Sequence, residues 1–256
     1  MAHVGASIGW GLAVAASLIA GGTVAALVRL PERVAALVTS FGGGILLAAI
    51  ALELVPEADR SAGAGLTTLG LVVGTLVYVG ADAWLNRDEE IKSMRRSGHA
   101  AAAGMEMDMP AAGAAGAARG ESIAAGIFVD GVPESVALGL TVADGELGIA
   151  LLAGILVGNV VEAYGAAQPI VAAGGSRRFA LTLLSAIGLA LAFATVLGGT
   201  VLSDASPSLI GSAEAVAAGA VLAVVSIAVI PYAFSEVNSL VASATVAGFI
   251  AGYLLS

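Results

Sequence analysis

Cysteine is absent from this 256-residue chain, and histidine occurs only twice. Without cysteine there can be no disulfides and no thiolate metal sites. Charge is also scarce: Asp, Glu, Lys and Arg together make up 11% of the residues, where a soluble domain carries about a quarter. Basic residues number 10 against 19 acidic ones, a formal net charge of −9, so the basic surface that nucleic-acid binding needs is missing. There is no Walker sequence, phosphate-cradling glycine loop or nucleophile–base pair. These absences exclude ATP-driven transport and covalent catalysis, and the chain is not expected to be an enzyme.

What is present is apolar. Hydrophobic residues make up 59% of the sequence, mean hydropathy is +0.99, and glycine alone accounts for 35 positions. Gly and Ala suit closely packed membrane helices, because small residues let backbones approach. Runs of about 20 apolar residues, the length that crosses a bilayer as a helix, fall at 6–28, 35–56, 65–85, 121–142, 147–173, 179–202, 212–234 and 239–256. They are too long and too continuously apolar for the alternating strands of a barrel. The fold class is therefore all-α, a polytopic membrane protein with eight transmembrane helices. The start of the chain lacks a basic segment ahead of its first run, so that run reads as a span and not as a cleavable leader.

Orientation follows from Lys and Arg, which favour the cytoplasmic side. Arg29 and Arg33 lie between the first two runs. Arg87, Lys92, Arg95, Arg96 and Arg119 lie between the third and fourth, and Arg177 and Arg178 between the fifth and sixth. An eight-span chain puts all of these on one face, with only Arg60 opposite. Both termini are then extracytoplasmic, and the plasma membrane is the expected location.

The segment Gly44–Pro56 matches Gly219–Pro231 at an offset of 175, keeping the Gly and the Pro in place. The same offset lays span 1 on span 6 and span 3 on span 8, with opposite directions across the membrane. This predicts a 3+2+3 plan of two inverted three-helix units flanking a central pair, an arrangement recurrent among transporters. The chain divides into a first unit (1–85), a flexible cytoplasmic loop (86–120), the central pair (121–173) and the second unit (174–256).

The central pair carries polar groups at mid-span. Asp130 and Glu134 are four residues apart, and Asn159 and Glu162 three apart, so each pair shares a helical face. Pro133 has no N–H and frees the carbonyl of Val129 as a further oxygen. Ionisable groups are costly at this depth and usually serve a function. If the two helices pack antiparallel, three carboxylates converge, and a divalent cation or protons must offset their repulsion. A structural role, as protonated hydrogen-bonding groups between helices, is the alternative.

These motifs resemble the Zrt-, Irt-like protein (ZIP) family of divalent metal transporters. Asp130-Gly-Val-Pro-Glu134-Ser is similar to the family's helix-4 His-Asn-x-x-Glu-Gly, and Gly158-Asn159-Val-Val-Glu162-Ala to its helix-5 His-x-x-x-Glu-Gly. Phe41–Ala58 is similar to a family run ending in His-Leu-Leu-Pro-Glu-Ala, with Glu53 at the His, and Asp82 stands where an acid is frequent. The resemblance implies eight helices with both termini outside, and transport of a divalent cation of the zinc, iron or manganese class into the cytoplasm. It implies metal ligation by Asp130, Glu134, Asn159 and Glu162. Glu53, near the outer end of its span, and Asp82, near the inner end of its own, read as way-stations on the pathway or as acids of the wet interfacial zone. The sequence departs from the family pattern at Asp130, Gly131 and Gly158, and Leu191 holds the helix-6 position where some members carry an acid. Oxygen-only ligands suit harder ions than the family's imidazole does, which pulls toward manganese and leaves the ion open.

Secondary signals are weaker. His99 and Met105–Met109 in the long loop read as linker or as a loose metal cluster. Glu57 and Glu236 read as solvated ends. Ser185, Thr195 and Ser226 read as bonding backbone within helices. The expected partners are the cation substrate and the lipid bilayer, and a homodimer is compatible with the sequence. Two other functions remain open: a non-transporting metal sensor or scaffold of the same fold, and a proton-coupled carrier of a small organic solute.

Overall fold

The long apolar runs become helices because, in lipid, each backbone N–H and C=O must find its partner within its own segment. A computed structural model describes residues 2–28, 30–85, 114–143, 148–172, 176–201, 205–230 and 239–256. Among these, all regular structure is helical: α1 (Ala2–Leu27), α2 (Glu32–Ala49), a π-helical turn π1 (Ile50–Leu54), α3 (Val55–Ala62), α4 (Ala64–Leu85), α5 (Ala114–Ala143), α6 (Ile149–Ala172), α7 (Arg177–Val201), α8 (Pro207–Val224), a second π-helical turn π2 (Val225–Val229) and α9 (Leu240–Leu255). Six helices are long and apolar enough to cross a membrane among the described residues, and Leu240–Leu255 is a shorter apolar one. Counting the 30-residue α5 as well, between six and eight can span.

The molecule has an apolar surface as well as a largely apolar core, with a few polar groups buried inside. Leu76 is 65% exposed and Leu254 75%, whereas Glu214 is fully buried, and Asp130, Glu134 and Asn159 are buried too. Exposed large apolar side chains on α1, α4, α7 and α9 are matched to lipid tails, with polar groups packed inside. The chain is a multi-pass membrane protein.

Packing follows a twofold pattern. α1 packs on α7; α1 packs on α6 as α5 packs on α7; α2 packs on α9 as α4 packs on α8. Each contact maps onto its counterpart when α1, α2 and α4 are exchanged for α7, α8 and α9, and α5 for α6. The π-helical turns obey the same exchange, since Ile50–Leu54 and Val225–Val229 are offset by the 175 of the sequence repeat. Each is followed two residues later by Pro56 or Pro231. A proline ring clashes with the carbonyl four residues earlier and donates nothing to it, and a widened turn ahead of the proline accommodates both effects.

Glycines set the helix spacing. A Cβ on Gly44 would collide with the Thr245 carbonyl, and one on Gly219 with that of Leu71; Gly248 and Gly74 meet the Phe41 and Val216 carbonyls in the same way. These pairs place α4 on α9 at an offset of 174, one residue less than the 175 read from the sequence. The chain from Pro231 to Gly248 is one residue shorter than that from Pro56 to Gly74.

Two further boundaries differ from expectation, as does one side chain. The second span does not end at 56 but runs through α3 to Ala62, which packs on α8. The fourth helix starts at Ala114, inside the segment expected to be loop. Glu57 is not simply solvated: it pairs with Arg60 and is about four-fifths buried. The expected loop from 86 to 113, with His99 and Met105–Met109, lies outside the described residues, as does Glu236. Ser185, Thr195 and Ser226 donate to the carbonyls of Leu181, Leu191 and Leu222 within their own helices, as expected.

Candidate functional site

α5 and α6 pack on each other between the two three-helix units, which brings the polar residues of the central pair inside the bundle. Asp130 and Glu134 lie one helical turn apart on α5, both buried. The helix passes through Pro133 unbroken, so the Val129 carbonyl lacks the donor that any other residue at 133 would supply. Asn159 is buried on α6 and Glu162 half-buried one turn further on. The Glu134 carboxyl is close enough to Glu162 and to Asp130 to interact electrostatically with both.

The four side chains are not equally available. The Tyr78 phenol of α4 donates a hydrogen bond to Asp130 Oδ1 at 2.6 Å. The Asn159 side-chain amide donates to Ser17 Oγ of α1 at 3.2 Å, and Ser17 donates to the Val14 carbonyl at 2.7 Å. The nitrogen of Asn159 thus faces α1, leaving its carbonyl oxygen as the atom suited to a cation. Among the described residues, no three His, Cys, Asp or Glu side chains gather closely enough to hold one metal ion between them. A cation held here would take its remaining ligands from amide or backbone oxygens and from water.

Two positions where the family resemblance looks for ligands carry none. Leu191 of α7 is fully buried and packs on Gly131, where a Cβ would come within 2.6 Å of Leu191 Cδ1. The position on α7 beside the α5 acids is therefore filled with hydrocarbon. Gly158 has open space where a Cβ would point.

The expected pathway residues lie elsewhere. Glu53 belongs to π1 and lines a cavity of about 160 Å³ at one end of the bundle, with Glu57, Arg60, Thr141, Gly148, Glu214 and Ser256. In the eight-span topology expected from the sequence, every one of these residues falls at the extracytoplasmic end. Asp82 is half-buried on α4, one turn beyond Tyr78 on the same face. The structure therefore gathers Asp130, Glu134 and Glu162 into one region, and sets Glu53 in a separate vestibule.

Tyr78, Ser17 and Glu214 do not stand out in the sequence. A single tyrosine or serine in an apolar run has no spacing signal, and their partners lie 52 and 142 residues away. Glu214, near the start of its run, reads as an ordinary interfacial acid yet is fully buried. No protein-family model matches the chain, and no curated protein matches it.

Proposed function

We propose that this protein carries a divalent cation of the zinc, iron or manganese class across the plasma membrane into the cytoplasm, as a ZIP-like transporter with eight spans and extracytoplasmic termini. The observation that carries this reading is the buried Glu134 carboxyl within electrostatic reach of Asp130 and Glu162, inside a bundle whose outer surface is hydrocarbon. Burying Asp130 and Glu134 beside a third acid is costly unless a positive partner joins them. Glu134 and Glu162 are the principal ligands, and Asp130 and the Asn159 carbonyl oxygen complete the protein's share. The twofold packing supports an inverted-repeat carrier in which paired units move about a central site.

Uptake of manganese, zinc or ferrous iron into proteoliposomes tests the proposal. Uptake in the wild type that disappears in the Glu134→Ala/Glu162→Ala double variant supports it. Uptake that survives the double substitution refutes the site.

One observation favours a second reading, a proton-coupled carrier of a small organic solute. The acids do not close into a three-carboxylate cluster, and protons satisfy spaced carboxyls as well as a cation does. That reading requires transport without metal and proton flux that ceases in Glu134→Gln.

A further inference from the structure

Tyr78 is the point at which α4 reaches the central acids. Its ring is buried with Ala220, Ala223 and Val224 of α8 and Val229 of π2, and Val129 of α5 packs against that group. Its phenol crosses to Asp130 Oδ1 at 2.6 Å. α4 packs along α8 and scarcely meets α5 elsewhere. The hydrogen bond is thus made by a side chain whose position is set by α8 and whose partner belongs to the central pair.

A carboxylate that accepts a short hydrogen bond on one oxygen is held in orientation, and its second oxygen points in a defined direction. Aiming a ligand before the cargo arrives removes an ordering cost from binding. We infer that Tyr78 is a positioning residue for Asp130: by holding Oδ1 it fixes the orientation in which the carboxyl meets the cation, and it ties that ligand to the α4–α8 pair. The inference rests on the cation-transport reading above.

The test is the concentration dependence of manganese or zinc uptake in proteoliposomes containing the full chain. A hydrogen bond to a charged group is worth at least about a factor of ten. Tyr78→Phe, which keeps the ring packing, is expected to raise the apparent KM about tenfold while the maximal rate stays within about twofold, the split that marks lost binding and not lost turnover. In an Asp130→Ala background the same substitution is expected to change nothing further. Replacing Tyr78 with 4-aminophenylalanine, which restores a donor on the same ring, is expected to bring KM back toward the wild-type value, and it keeps the test open if Tyr78→Phe fails to reconstitute. An apparent KM that is unchanged or lower in Tyr78→Phe, a fresh penalty on top of Asp130→Ala, or no recovery with the amino analogue overturns the assignment while leaving transport intact. Wild-type vesicles that take up no cation defeat the transport reading itself, and with it any such role for Tyr78.

Discussion

Gly248 of α9 lies directly on the backbone carbonyl of Phe41 in α2, and Gly74 of α4 lies in the same way on Val216 of α8. The absence of a side chain is what lets each pair of helices meet. In lipid, where tails are as apolar as leucine, such close packing is a main source of helix association.

Gly248→Val and Gly74→Val are therefore each expected to force their helices apart, at a cost of about 1–3 kcal/mol typical of overpacking. Gly5, which has open space around its Cβ direction, supplies the control, since Gly5→Ala should leave stability unchanged. Thermal unfolding in detergent measures both. Equal melting temperatures for Gly248→Val and the wild type would contradict the packing described.

Single neutralisation of the central acids should already be severe. Glu134→Gln and Glu162→Gln are each expected to reduce cation uptake by more than the about 10- to 100-fold that follows loss of a residue supporting a metal site. Both substitutions preserve shape, so the purified variants should still elute as the wild type does. Retention of wild-type uptake by Glu134→Gln would remove the residue from the pathway.

The open space beside Gly158 offers a route to altered selectivity. Gly158→His places an imidazole next to Asn159, at a position whose Cβ would meet nothing within 4 Å. Nitrogen ligands favour zinc over harder ions. The ratio of zinc to manganese uptake should rise by about tenfold, taking one added ligand as worth at least about 1.4 kcal/mol. A ratio that does not move would mean that position 158 faces away from the cargo.

The vestibule should behave differently from the centre. Arg60 is largely exposed and pairs with Glu57, a kind of surface pair worth about 0–1 kcal/mol, so Arg60→Ala is expected to leave stability and maximal uptake nearly unchanged. Glu53→Gln combined with Glu214→Gln should instead depress uptake chiefly at low cation concentration and low salt, where an acidic cavity helps gather cations. Flux measured at two ionic strengths separates these outcomes.

The helices and their repeat were readable in the sequence because both depend on simple spacing. Runs long enough to cross a bilayer announce themselves, and Gly44, Pro56, Gly219 and Pro231 mark the register of the two units. The offset of α9 differs by one residue because the register was read from Gly44–Pro56 and Gly219–Pro231, and the chain beyond Pro231 is one residue shorter before Gly248 than the chain from Pro56 to Gly74. Helical periodicity puts Asp130 with Glu134 and Asn159 with Glu162, but it does not say how closely the two helices bring those pairs together. Nor does it give the hydrogen bonds of Tyr78 and Ser17, since they join distant segments and depend on which helices meet. The burial of Glu214 depends likewise on α3 continuing past Pro56 to pack over α8.

The two widened turns give the bundle matching joints, yet the side chains around them do not match. Glu53 in the first turn corresponds to Ala228 in the second, and Glu214 to Thr39. The near-symmetric frame thus carries acids at one of these joints and none at the equivalent positions of the other. In the proposed carrier, acids at one joint and none at its counterpart would make the two faces unequal in their hold on a cation.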